Sequence, residues 1–208
     1  MKLYTYPPAP SPQRVQLFMQ EKGIELPAET IDMMKQEQLG DDFKAINPRS
    51  ILPTLLLDDG TVLSEVIAIC RYLEASFPET PLLGTSAKQQ ALISEWDHRI
   101  EMECLAAIAD ALRNKGDGFK HRALPGALDI EQIPDLIPRG ILRVNAFFEI
   151  LDKQLSQNTF VAGEHFSMAD ITAFVCVNFS GWIKVAVPET LDHLTLWHNA
   201  MSKRFALD

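Results

Sequence analysis

The stretch Asn47-Pro48-Arg49-Ser50-Ile51-Leu52-Pro53-Thr54-Leu55, followed by Leu63-Ser64-Glu65-Val66-Ile67, constrains this chain more than any other part of it. Leu52-Pro53 leaves a loop and enters an apolar run, a setting in which a cis X–Pro bond can turn the preceding backbone outward to pair with an extended peptide. Glu65 then opens a helix. Its carboxylate can hold an ammonium group while the N–H groups of the helix start face a carboxylate. A ligand that carries both charges on one carbon fits that pair of requirements.

Hydrophobic periodicity orders the elements around this run. Residues 2–6 alternate as a short strand, ended by the turn from Pro7 to Pro12. The pattern predicts a helix next, with Ser11 as its cap, Pro12 at its first position, Val15, Phe18, Met19 and Lys22 on one face, and Gly23 at its end. A second strand is expected over 28–33, and a weakly helical or irregular connection over 35–46. Residues 54–57 and 61–63 flank Asp58-Asp59-Gly60 as a hairpin, and a helix follows over 65–76.

Pro78, Pro81 and Gly84 interrupt the periodicity, which marks 78–86 as a linker between a first domain, 1–77, and a second, 87–208. The second domain reads as all helical. One long helix is expected over 87–114, with Leu92, Trp96, Ile100, Glu103 and Ala107 near one face. A loop follows over 115–138, then a helix with Ile141, Val144, Phe148, Leu151 and Leu155 as its buried stripe. Phe166-Ser167-Met168-Ala169-Asp170-Ile171 has the capping-box signature: Ser167 caps, Asp170 reaches back, and Phe166 can staple onto Ile171.

With these motifs in this order, the chain resembles the cytosolic glutathione transferase superfamily over nearly its full length. The resemblance implies an α/β plus all-α fold: an N-terminal thioredoxin-like domain (βαβ-ββα) that binds glutathione, then an all-helical C-terminal domain. It implies glutathione as cofactor or substrate, a homodimer, and a second pocket for a small hydrophobic electrophile or a disulfide. In that scheme Leu52 and Pro53 present backbone to the cysteinyl unit, while Ser64, Glu65 and Val66 surround the γ-glutamyl end. The sulfur lies at the start of the first helix, where the dipole favours thiolate.

Many members of the superfamily place a Ser or Cys where this chain has Ala9, and a bacterial subset presents a polar side chain two residues later, at Ser11. Ser11 is therefore the first candidate partner of the sulfur. Tyr6, near the end of the first strand, is the second, with Tyr4 beside it. Arg14 either adds positive potential there or forms a solvent-facing ion pair. Where the family usually follows its Glu with Ser, this chain has Val66, a loss of about 1.5–3 kcal/mol if nothing replaces the hydrogen bond. Ile51 also departs from the family pattern, leaving Arg49 or Ser50 to reach the glycine carboxylate. Trp96, His98, Arg99, Met102 and Phe119 are the candidates for the second-substrate pocket. The implied activity is attack of the glutathione thiolate on a hydrophobic electrophile. Ala9 and Val66 keep two alternatives open: glutathione-dependent disulfide or peroxide reduction, and a non-catalytic binding or assembly role.

Composition sets the outer limits. A chain of 208 residues, 47% hydrophobic and 23% charged, can bury one or two cores. A net charge of -9 and a pI near 5.0 argue against nucleic acid or an anionic membrane as principal partner. The N-terminal residues lack an apolar core long enough for a signal peptide or a membrane span, so the expectation is a cytoplasmic protein. Cys70, Cys104 and Cys176 read as separate reduced core thiols, and the histidines lack metal-ligand spacing, so no metal site is expected.

Overall fold

A computed structural model describes residues 1–205. They divide into two compact units, Met1–Pro81 with Leu124–Ile130, and Leu82–Ala123 with the residues from Glu131 onward. The loop Leu124–Ile130 thus belongs with the N-terminal unit.

In the first unit, β1 (Lys2–Thr5), α1 (Pro10–Lys22) and β2 (Ala28–Thr30) form a βαβ segment in which the two strands run parallel, Leu3 opposite Ala28 and Thr5 opposite Thr30. After α2 (Asp41–Ile46) come β3 (Thr54–Leu56), β4 (Val62–Leu63) and α3 (Val66–Ser76). β3 runs antiparallel to β1 and to β4, giving a mixed sheet in the order β2-β1-β3-β4. This is the expected βαβ-ββα arrangement. Val15 and Phe18 of α1 and Ile69 and Leu73 of α3 are fully buried. Lys22 crosses from α1 to reach Glu74 at 2.7 Å and the Thr80 carbonyl at 2.5 Å, tying the two helices at their C-terminal ends. A separate cluster gathers Tyr4, Ile31 and Phe43 with Ile46, Leu52 and Leu56. Tyr4 packs edge-on against Phe43, so it is a core residue.

Three boundaries differ from those expected. α1 starts at Pro10, with Ala9 as its N-cap, so Ser11 lies inside the first turn and is not the cap. The reason is local: the Ala9 N–H bonds the Tyr6 carbonyl, closing the Pro7-Pro8 turn early, and Pro10 suits the first helical position as well as Pro12 would. β2 stops at Thr30 because Asp32 Oδ1 accepts the N–H groups of Met34 and Lys35 and turns the chain. α3 starts at Val66, one residue later than expected, with Glu65 as its N-cap. The hairpin turn forms as read, with Gly60 at φ 87 and the Leu57 N–H on the Thr61 carbonyl.

The second unit is helical: α4 (Ala87–Arg99), a π-helical turn (Ile100–Leu105), α5 (Ala106–Arg113), α6 (Leu136–Leu155), α7 (Met168–Ser180) and α8 (Asp192–Phe205). The long helix expected over 87–114 is therefore interrupted by a wider turn. α6 begins before Pro138, which its first turn tolerates. A Cβ on Gly140 would stand 2.4 Å from the Ala107 carbonyl oxygen, so only glycine lets α5 and α6 approach this closely.

α7 is buried along almost its whole length and opens on the capping box. Asp170 does more than cap. Its carboxylate accepts the N–H and hydroxyl of Ser167, the Val161 N–H and the indole N–H of Trp197, joining the helix start to the preceding loop and to α8. The Phe166 ring meets Phe160 and Phe205.

Burial pushes the Asp170 carboxyl up to about 6, and the hydrogen bonds oppose it only in part. The unfolded chain gives up this proton near the ordinary 3.8 of an aspartate while the folded chain holds it to about 6, so folded-state stability falls as pH rises across that window. Measured against Asp170→Asn, which cannot titrate, the parent should lose on the order of 2–3 kcal/mol between pH 4 and pH 6.5 in urea unfolding. Parallel pH profiles for the two proteins would show that Asp170 is ionised in the folded state throughout.

Candidate functional site

The loop that leads into β3 is held by its own side chains. Buried Asn47 donates from Nδ2 to the Ile51 carbonyl at 3.2 Å and to Thr54 Oγ1 at 2.8 Å, while its Oδ1 accepts the Arg49 N–H at 3.1 Å. Thr54 Oγ1 in turn donates to the Ile51 carbonyl at 2.9 Å. Ser50 takes the left-handed conformation, φ 56, and its N–H bonds the Asn47 carbonyl. Within this frame the Leu52–Pro53 bond is cis. The Leu52 side chain packs against the Tyr4–Phe43 cluster, yet its N–H and C=O make no hydrogen bond among the described residues. The residue is anchored by its side chain, and peptide groups left unpaired in this way can match an extended ligand.

The start of α3 lies open. Glu65 has extended backbone and makes no cap hydrogen bond, and the first helical bond is from the Ile69 N–H to the Glu65 carbonyl. The N–H groups of Val66, Ile67 and Ala68 have no partner among the described residues. The Glu65 carboxylate pairs with Arg49 Nη2 at 2.6 Å, and Arg49 Nη1 donates to Ser64 Oγ at 3.2 Å. Arg49 and Glu65 are 59% and 57% exposed, so the pair can exchange partners with a solute at little cost. Carboxylate, guanidinium and free amides stand together at one helix end, a constellation suited to a zwitterionic group.

α1 offers much less. Pro10 and Pro12 have no N–H, and the Gln13 N–H is taken by the Ala9 carbonyl, so Ser11 holds the one available backbone donor of the first turn. The Ser11 hydroxyl likewise has no partner among the described residues, and the side chain is half-buried. Arg14 is completely buried, which corrects its reading as a solvent-facing ion pair. Tyr6 is half-buried at the start of the turn, with its carbonyl on the Ala9 N–H.

In the second unit the Arg99 guanidinium lies 4.6 Å from the Trp96 ring centre and pairs with Glu103 at 2.9 Å. Met102 is exposed on the π-helical turn. Phe119 stands elsewhere, with Arg113 4.8 Å from its ring centre and Arg122 at 6.0 Å. No ring contact or hydrogen bond among the described residues joins Phe119 to Trp96, Arg99 or Met102. Burial, then the neighbouring Arg122, lower Arg113 to about 10. A cavity of about 540 Å³ near the end of α7, lined among others by Val177, Asn178, Lys184 and His198, includes none of the predicted site residues. Asn47 and Thr54 went unread as functional residues, although Asn before Pro is a turn-starting signal.

Asn47→Ala should cost about 2–3 kcal/mol, because it deletes a buried donor pair and leaves the Arg49 N–H without its acceptor. Urea unfolding of Asn47→Ala, Thr54→Ala and the double variant tests the network. The double variant should be markedly more stable than the sum of the two losses implies, and strict additivity would show that the two side chains act separately.

Comparison with known proteins places this geometry in context. Residues 9–76 match the family described as glutathione S-transferase, N-terminal domain, and residues 141–204 match glutathione S-transferase, C-terminal domain. Glutathione S-transferase 2 of Saccharomyces cerevisiae is 29% identical, over 98% of this chain and 86% of its own, and glutathione S-transferase D7 of Drosophila melanogaster is 30% identical, over 88% and 75%. Among solved structures, a glutathione S-transferase domain-containing protein of Marinobacter aquaeolei superposes with a TM-score of 0.89 at 32% identity, covering 98% of each chain.

Proposed function

Because the chain belongs to the glutathione S-transferase family, we propose that it binds glutathione in the first unit, holds its thiol as thiolate at the start of α1, and transfers it to a small hydrophobic electrophile. The observation that carries this reading is the open start of α3 beside Glu65 and Arg49, next in sequence to a loop whose Leu52 peptide groups are unused. The ammonium of the γ-glutamyl end joins Glu65, and its carboxylate takes the amides of Val66, Ile67 and Ala68. Arg49 supplies a charged donor where Val66 supplies no hydroxyl. The Leu52 peptide pairs with the cysteinyl unit.

At the sulfur, the Ser11 N–H and hydroxyl both donate, and the α1 dipole and the buried Arg14 add positive potential. The thiol proton leaves to solvent, the thiolate attacks the electrophilic carbon, and the leaving group departs with the bonding pair. Trp96, Arg99 and Met102 are the proposed contacts of the second substrate; Phe119, set apart with Arg113 and Arg122, is the weakest of that group. The three cysteines are all buried, so in a disulfide-reducing version of the chemistry both exchanging thiols come from glutathione. Conjugation and disulfide-reduction assays on the same preparation separate the two reactions. A cytoplasmic homodimer is part of the same reading.

Calorimetric titration with glutathione tests the proposal, which predicts saturable binding to one site per chain. Glu65→Ala should weaken that binding more than about tenfold, the loss of a charge-assisted bond, while an exposed pair changes folding stability by less than ~1 kcal/mol. No binding by the parent would remove the function. Equal affinity in parent and variant would remove Glu65 from the site.

A further inference from the structure

Where the π-helical turn packs on α7, each contributes a cysteine, and the two sulfurs, Cys104 Sγ and Cys176 Sγ, lie 2.6 Å apart. Both residues are 1% exposed. Around Cys176, α7 presents Ala173, Phe174, Val175 and Val177, all buried, so no neighbouring side chain in that segment is acidic or basic. The third cysteine, Cys70, belongs to the first unit.

We propose that Cys104 and Cys176 form a reversible covalent modification site, an intramolecular disulfide made when a hydroperoxide reaches the pair. In the first step one sulfur attacks the peroxide, the O–O bond breaks, and a sulfenic acid forms with release of water, or of an alcohol from an organic hydroperoxide. In the second step the other sulfur attacks that sulfenic sulfur and expels water as the S–S bond forms. Two thiols and one molecule of hydrogen peroxide thus give one disulfide and two waters, with both protons carried off in the waters. The second step is fast relative to further oxidation because its partner is already in place and needs no chain movement. The first step is slow, since both sulfurs are buried, and it depends on small reagents or brief opening of the helix contact.

The bond would pin the wider turn to α7. That turn carries Met102 on its exposed side and directly follows Arg99, so the oxidised form holds this surface in a single arrangement. π-helical turns within α-helices are rare and often sit at functional positions, and a cross-link there restrains such a turn.

The test uses the full chain as purified. Reduced protein is treated with hydrogen peroxide, the oxidant is removed, the chain is unfolded, and remaining thiols are labelled with a maleimide for intact-mass analysis. The expected result is a fall from three labels to one, with the remaining label on Cys70 and the chain lighter by two hydrogen atoms. A proteolytic fragment should join Cys104 to Cys176, dithiothreitol should restore all labels, and the oxidised form should melt several degrees higher. Cys104→Ala and Cys176→Ala should each keep both remaining labels under the same treatment. Retention of three labels, stepwise gain of oxygen without cross-linking, or a cross-link through Cys70 or between chains would each overturn the proposal.

Discussion

The hydrogen bonds that Asn47 makes to the Ile51 carbonyl and Thr54 Oγ1 are the constraint on which the function proposed for the first unit depends. They hold a loop that would otherwise have no regular partner, and they do so from inside, because Asn47 and Thr54 are both buried. With the loop fixed, the Leu52 side chain joins the sheet-side cluster while its peptide groups make no hydrogen bond among the described residues. A backbone donor and acceptor left unused in an otherwise well-paired structure is costly unless water or a ligand meets it, and this is where an extended peptide ligand can be matched.

The ends of the helices separate structure from function by the same criterion. α7 opens on a fully engaged carboxylate, Asp170, and is buried from its first turn onward. α1 and α3 open without side-chain caps. At α3 the result is an array of free amides flanked by opposite charges, a strong site for a zwitterion. At α1 the prolines remove most of the donors, and the N–H and hydroxyl that remain both belong to Ser11. The family commonly relies on a dedicated side chain ahead of the helix; here Ala9 occupies that place and forms the cap through its backbone alone. In the proposed scheme, stabilisation of a thiolate falls to fewer groups, with Ser11 carrying the larger share.

Much of this was legible from residues alone. Asp59-Gly60, Pro53 and the Ser167–Asp170 box each allow few conformations, and the hairpin, the cis bond and the cap appear where those residues stand. Family resemblance supplied the role proposed for Glu65, which its local sequence does not distinguish from any acid at a helix start. Ser11 was misplaced as a cap because Pro10 and Pro12 suit the first helical position equally well, and the choice turns on a single bond from Ala9 to Tyr6. Contacts between distant segments left no local trace. The burial of Arg14, the pairing of Arg49 with Glu65 and the adjacency of Cys104 and Cys176 are products of packing, and each joins or surrounds residues whose spacing has no period.

The central claim is that Ser11 holds the sulfur of bound glutathione as thiolate. It is tested most directly by following thiolate absorbance of glutathione bound to the parent protein and to Ser11→Ala as pH is varied, with melting measured on the same samples. The parent should hold the bound thiol well below the ~8.5 of a free cysteine side chain, and Ser11→Ala should move it back toward that value with unchanged melting, because the hydroxyl is not the helix cap. The same thiol titration in both proteins would contradict the assignment.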